Sequence, residues 1–160
     1  MNPNRIEEQD TQMYVPAAPV FAQRPGETPL GPIGIAINGV ALFNQYAGRT
    51  PQGWIPLDRE IQSFDVYNGH PDPRNQYHYH VEPLWLTADD PAALVGVLMD
   101  GIPIYGPVDM DGSRPDDLDD CNGHEGTTPD HAVDVYHYHV TEEVPYLVGC
   151  YAAEEGFLAH

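Results

Sequence analysis

Hydrophobic and polar residues alternate along this chain in short runs, each closed by Gly, Pro, Asn or Asp. Residues 33–37 and 40–44 flank Asn38-Gly39, and residues 95–99 and 102–106 flank Asp100-Gly101. β-rich segments around an Asn-Gly or Asp-Gly pair predict two hairpins with two-residue turns, because these residues tolerate the left-handed dihedrals such turns need. Around residues 76–82 and 134–141, Tyr, His and Val alternate, which predicts extended chain. Further strands are expected at 60–67, 84–87 and 145–151. Residues 1–30 are polar and Pro-rich and read as an extended arm that wraps the body or contacts a partner. Seventeen Pro and fifteen Gly punctuate the chain too often for long helices. The expected fold class is mainly β: one compact domain, sandwich or barrel-like, with the arm over 1–30 and the body over 31–160.

The hydrophobic pattern occurs twice. Gly34 to Phe43 ("GIAINGVALF") aligns without gaps on Gly96 to Tyr105 ("GVLMDGIPIY"). "YNGH" at 67–70 then matches "CNGH" at 121–124, Pro71-Asp72 pairs with Pro129-Asp130, and "YHYH" stands at 77–80 and again at 136–139. Landmarks recurring in one order predict two tandem pseudo-repeated β units, about 31–90 and about 91–155, that differ in connector length.

Charge narrows the function classes. Six Arg, no Lys and 25 acidic residues give 6 − 25 = −19, which repels phosphate backbones and anionic lipid, so nucleic acid is not an expected partner. No apolar run reaches the length of a membrane span, so no membrane insertion is expected. Such acidity either solubilises the surface or attracts cations. The acidic stretch 109–120 ("DMDGSRPDDLDD") reads as a solvated loop, since its ligand order does not fit an EF-hand. No basic segment leads into an apolar one at the N-terminus, so no signal peptide is visible. The expectation is an extracytoplasmic or secreted protein whose leader is absent or removed, or else a virion component.

Candidate chemistry lies in the repeated histidines. Side chains two apart on a strand share a face, so His78 and His80 point one way and Tyr77 and Tyr79 the other. The same holds for His137 and His139 against Tyr136 and Tyr138. A His-x-His strand can close two imidazoles on one ion, with His70 or His124 supplied from the preceding turn as a third ligand. Three imidazoles per copy suit Cu or Zn. Asp72 and Asp130 are candidate partners that fix imidazole tautomers. His131 and His160 fall outside the pattern. A half-buried polar network of Tyr and His is the structural alternative, though packing alone does not require imidazole at six repeated positions.

Cys121 and Cys150 are the only cysteines. They can close a disulfide, or Cys121, in a Cys-x-x-His with His124, can serve as a thiolate ligand.

Taken together, the Asp/Asn-Gly hairpin, "CNGH", "YHYH" and "PYLVGCY" (145–151) resemble the YHYH-domain family over about residues 31–152. The resemblance implies an exported protein and carries a family disulfide over to Cys121 and Cys150. The Pro-rich arm departs from the pattern.

The leading expectation is an acidic β domain that binds Cu or Zn through His70, His78, His80, His124, His137 and His139, as two sites or as one shared site between the copies. A metal-dependent or His/Tyr acid–base enzyme, hydrolase or lyase, is the alternative, although no nucleophile elbow, HExxH or phosphate loop is present. A structural protein of a virion or surface assembly, engaged through its arm, is a third.

Overall fold

The computed structural model describes residues 2–159, and these form a mainly β domain. Eight strands build its central sheet: β3 (Pro32–Ala36), β4 (Ala41–Phe43), β7 (Gly69–Pro71), β8 (Tyr77–Tyr79), β9 (Leu94–Leu98), β10 (Pro103–Tyr105), β11 (Gly123–Thr128) and β12 (His131–His139). Their order is β11-β12-β10-β9-β3-β4-β8-β7. This sheet ends in two edges and does not close into a barrel. Three two-stranded sheets accompany it: β1 (Gln12–Tyr14) with β14 (Phe157–Ala159), β2 (Phe21–Glu27) with β13 (Cys150–Ala153), and β5 (Tyr46–Thr50) with β6 (Gly53–Pro56). Residues before position 30 thus pair with strands near the C-terminus. The N-terminal backbone also runs past residue 75, where the Glu7 amide donates to the Asn75 carbonyl at 2.9 Å.

The halves of the large sheet pair alike, position for position. Ala41 and Leu42 lie opposite His78 and Tyr79 in a parallel pair, and Ile104 and Tyr105 lie opposite Tyr138 and His139 in another. Gly69 and His70 face Tyr79 and His78; Gly123 and His124 face Tyr138 and His137. The halves meet where β3 and β9 run antiparallel, with Ile35 opposite Val97 and Gly34 opposite Leu98.

That pairing sorts the side chains into two faces, because residues directly opposite on neighbouring strands point the same way. His70, His78, Ala41, Ile35, Val97, His137 and His124 share one face. Leu42, Tyr79, Leu98, Ile104 and Tyr138 lie on the other. There they join Leu147, Val148 and Tyr151 in the buried core. The core is also where Cys121 and Cys150 form a disulfide. Cys121 is therefore not a thiolate ligand.

Both predicted hairpins form, but with three-residue loops. Only Gly39 (φ 82°) and Gly101 (φ 81°) take the left-handed dihedral. Asn38 Oδ1 accepts from the Val40 amide and Asp100 Oδ1 from the Ile102 amide, both at 3.2 Å. An Asx side chain reaching two residues ahead holds its own backbone out of the left-handed region.

Three expected strands are something else. Residues 57–63 make two 3-10 turns, Leu57–Arg59 and Ile61–Ser63, anchored by buried Leu57 and by the Ser63 hydroxyl, which donates to the Glu60 carbonyl. Leu84–Thr87 (α1) is a single helical turn after Pro83, whose ring suits a helix start. Residues 145–149 stay irregular around Tyr146 (φ 63°), a dihedral no strand contains.

Candidate metal centres

The repeated motif can be read residue by residue. Asn68 (φ 66°) and Asn122 (φ 67°) take the left-handed position of a tight turn, which Asn tolerates. The following Gly69 and Gly123 leave room for an aromatic ring: a Cβ on either would lie 2.2 Å from the Tyr77 or Tyr136 phenol. Each phenol passes its glycine and donates to a carboxylate, Tyr77 to Asp65 at 2.7 Å and Tyr136 to Asp119 at 2.8 Å. Asp65 and Asp119 also accept from the Gly69 and Gly123 amides at the turn. The second tyrosine of each motif points into the core and reaches the hairpin loop. Tyr79 bonds Asn38 at 3.2 Å, and Tyr138 donates to Asp100 at 2.6 Å. All four phenols are thus engaged away from the imidazoles, which argues against a tyrosine acid–base partner at either site.

On the opposite face the histidines converge in two groups. His70, His78 and His80 form one, and His124, His137 and His139, with Asp109, the other. The six imidazoles do not meet at one point. Strands β8 and β12 are five strand steps apart in the sheet, roughly 24 Å at ~4.8 Å per step. Five of the six histidines are 3% exposed or less and are grouped with the buried residues; His124 is 9% exposed.

Hydrogen bonding fixes five of the six tautomers. His78 Nδ1 faces the Gln76 carbonyl at 3.0 Å and His80 Nδ1 the Asn44 carbonyl at 2.5 Å. His137 Nδ1 faces the Val135 carbonyl at 2.9 Å and His139 Nδ1 the Gly106 carbonyl at 2.6 Å. A carbonyl only accepts, so each Nδ1 carries the proton and each Nε2 is a bare lone pair. His124 Nδ1 donates to the Asp117 carboxylate at 2.7 Å. His70 Nδ1 sits 2.8 Å from Ser63 Oγ and 3.3 Å from the Asn2 amide nitrogen; a hydroxyl donates or accepts and an amide N–H only donates, so these partners do not assign its proton. The Asn2 amide approaches the same ring and bonds the Pro71 carbonyl at 2.9 Å.

The bare nitrogens then crowd together. His78 Nε2 and His80 Nε2 are 3.0 Å apart, His137 and His139 Nε2 2.9 Å, and His124 and His137 Nε2 3.2 Å. Two lone pairs at such distances are not a hydrogen bond and repel unless a cation lies between them. Nitrogens bound at 2.0–2.1 Å around one tetrahedral ion lie roughly 3.3 Å apart, close to what is seen. An extra proton is a poor substitute. Burial lowers the pKa of His70 to about 4 and of His80 to about 3, with neighbouring His78 adding to both, and burial also lowers those of His78, His137 and His139.

Asp72 and Asp130 do not hold tautomers. Asp72 accepts from the Arg74 and Gln76 amides in a turn, and Asp130 accepts from the Tyr105 hydroxyl. The role falls to backbone carbonyls and Asp117. Sequence reasoning passed over Asp65 and Asp119, yet each stands three residues before its Asn-Gly-His, a spacing that could have marked them. Glu60, Asp109 and Asp117 lie in connectors that differ between the halves and left no such signal. Asp109 and Asp117, taken as part of a solvated loop, face the second group instead.

Carboxylates complete each surrounding. Asp109 Oδ1 is 3.4 Å from both His124 Nε2 and His139 Nε2, while Glu60 lies 3.9 and 3.8 Å from His70 and His80 Nε2. The second group borders a cleft of about 440 Å³, walled by Asp109, Asp117, Arg114, Glu125 and Asp134. His78 and His80 border a smaller space of about 190 Å³.

Such a molecule is an all-β, disulfide-bonded protein with two buried histidine groups able to hold metal ions. A family model described as YHYH protein matches residues 12–114 and 108–153, and the chain belongs to this family. Comparison with curated proteins and with solved structures found no match to either. No helix among the described residues is long and apolar enough to cross a membrane.

Proposed function

We propose that this protein binds two Cu or Zn ions, one in each histidine group. What supports the reading is a single feature: six imidazoles, five of them with the proton committed at Nδ1, gather in two buried groups. An acidic polypeptide of charge −19 attracts the cation to both. The identical pairing of the two halves supports their origin from one unit, with the 1–30 segment as an arm able to engage an assembly partner. The disulfide supports an extracytoplasmic setting.

Metal analysis of protein prepared without a His tag tests this. Two ions per chain are expected, falling to one in a His78→Ala/His80→Ala variant. A metal content near zero in both overturns the reading.

A second reading, a metal-dependent hydrolase, draws on the cleft beside His124. His124, His137, His139 and Asp109 would hold the ion, and the chemistry it would supply beside the cleft is a more acidic water. Ester turnover that requires His124 and survives the His78→Ala/His80→Ala change separates it from simple binding.

A further inference from the structure

Among the described residues, three buried side-chain atoms have no hydrogen-bond partner: Gln45 Oε1, Glu60 Oε2 and His70 Nε2. Two of these meet at one place. A buried polar atom left unpaired destabilises the fold, more so if it is charged, so a pair left together calls for a ligand between them.

The geometry is that of an ion's surroundings. Glu60 Oε1 lies 3.9 Å from His70 Nε2 and Oε2 lies 3.8 Å from His80 Nε2. Neither contact is a hydrogen bond, since both lie beyond hydrogen-bond distance. An ion bonded at 2.0–2.2 Å to each partner bridges any separation up to roughly 4.2 Å. The carboxylate is also held in place. Glu60 sits between two 3-10 turns, its amide donates to the Leu57 carbonyl at 2.8 Å, and Ser63 ties its carbonyl to the His70 ring.

We propose that Glu60 is the fourth ligand of the first site, so that this site and the second, with Asp109, are both three-imidazole, one-carboxylate centres for a tetrahedral divalent ion. This rests on the metal-binding reading above. The two halves would then have reached the same donor set from unrelated connector positions, one twenty residues before the last histidine of its "YHYH", His80, and the other thirty residues before His139.

Titration with Co²⁺, which reports coordination number through the strength of its visible bands, tests the proposal. The unaltered protein is expected to bind two Co²⁺ with the intense bands of four-coordinate sites. Glu60→Gln is expected to keep the second site unchanged while the first binds at least ~10-fold more weakly, a loss of ~1.4 kcal/mol, and loses its band intensity. Two full-strength, spectrally unchanged sites in Glu60→Gln overturn the role of Glu60 and leave metal binding intact. No Co²⁺ or Zn²⁺ bound by the unaltered protein overturns metal binding itself. Should Glu60→Gln lose both sites by misfolding, Glu60→Asp decides: weakened binding at the first site alone supports the proposal, and unchanged affinity there overturns it.

Discussion

Stripped of metal and taken from pH 7.5 to pH 5, the protein is expected to lose about 4 kcal/mol of stability through His70 and His80 alone. Their folded pKa values, about 4 and about 3, lie below the ordinary value of 6.5. Above pH 6.5 neither the folded nor the unfolded chain protonates them, and stability is intact. As pH falls below 6.5 the unfolded chain takes up protons that the folded chain refuses, so stability falls until the folded pKa values are passed. Each group contributes about 1.36 kcal/mol per pH unit over that window, or about 2 kcal/mol at pH 5. His78, His137 and His139 add in the same direction. The trend runs against the rest of the molecule. Its excess negative charge is relieved by acid, and burial raises the pKa of Glu60 and Asp100, so these carboxyls stabilise the fold as pH drops. Urea unfolding of chelator-treated protein at the two pH values measures the balance. Equal or greater stability at pH 5 would show that the imidazole penalty is no larger than the relief of negative charge.

The second large effect separates two positions that the sequence makes equivalent. Tyr138→Phe is expected to destabilise the protein by about 3–4 kcal/mol, and Tyr79→Phe by about 1 kcal/mol or less. The Tyr138 hydroxyl donates to fully buried Asp100 at 2.6 Å and accepts from the Ala152 amide at 2.8 Å. Removing it leaves the buried Asp100 Oδ2 with only the Ala153 amide at 3.3 Å and strands the buried Ala152 amide. Tyr79 makes one 3.2 Å bond to Asn38, which is exposed and can turn to water. Denaturant unfolding of the two variants tests this, and equal losses would contradict the assigned bonds.

This pair also shows how far the sequence could be read. Alternation in "YHYH" correctly divided the tyrosines from the histidines, because a strand's period of two leaves no other choice. The matched "GIAINGVALF" and "GVLMDGIPIY" located the two central hairpins, and six histidines at matching positions marked both candidate sites. The turn type was misread, because the Asx bonds of Asn38 and Asp100 lie within the loop and outweigh the dipeptide preference. "EIQSFDVY" was misread as a strand because its turns are held by buried Leu57 and by the Ser63 hydroxyl on the Glu60 carbonyl, contacts that no alternation of residues encodes. Glu60 and Asp109 were invisible for the same reason. They come from connectors of different length, and only the folded chain brings them to the imidazoles. Whether the six rings would make one site or two depended on the strand order, which no local motif encodes.

That strand order gives the outermost strands, β7 and β11, a particular task. Each carries one imidazole, His70 or His124, while the other two rings of its group stand on or just beyond the strand beside it. An ion bound in either group would therefore rivet a margin of the sheet to its interior. Margins are where unpaired amides and carbonyls recruit a second chain. Metal starvation would loosen both rims at once, making the depleted protein the form most open to fibrillar self-association.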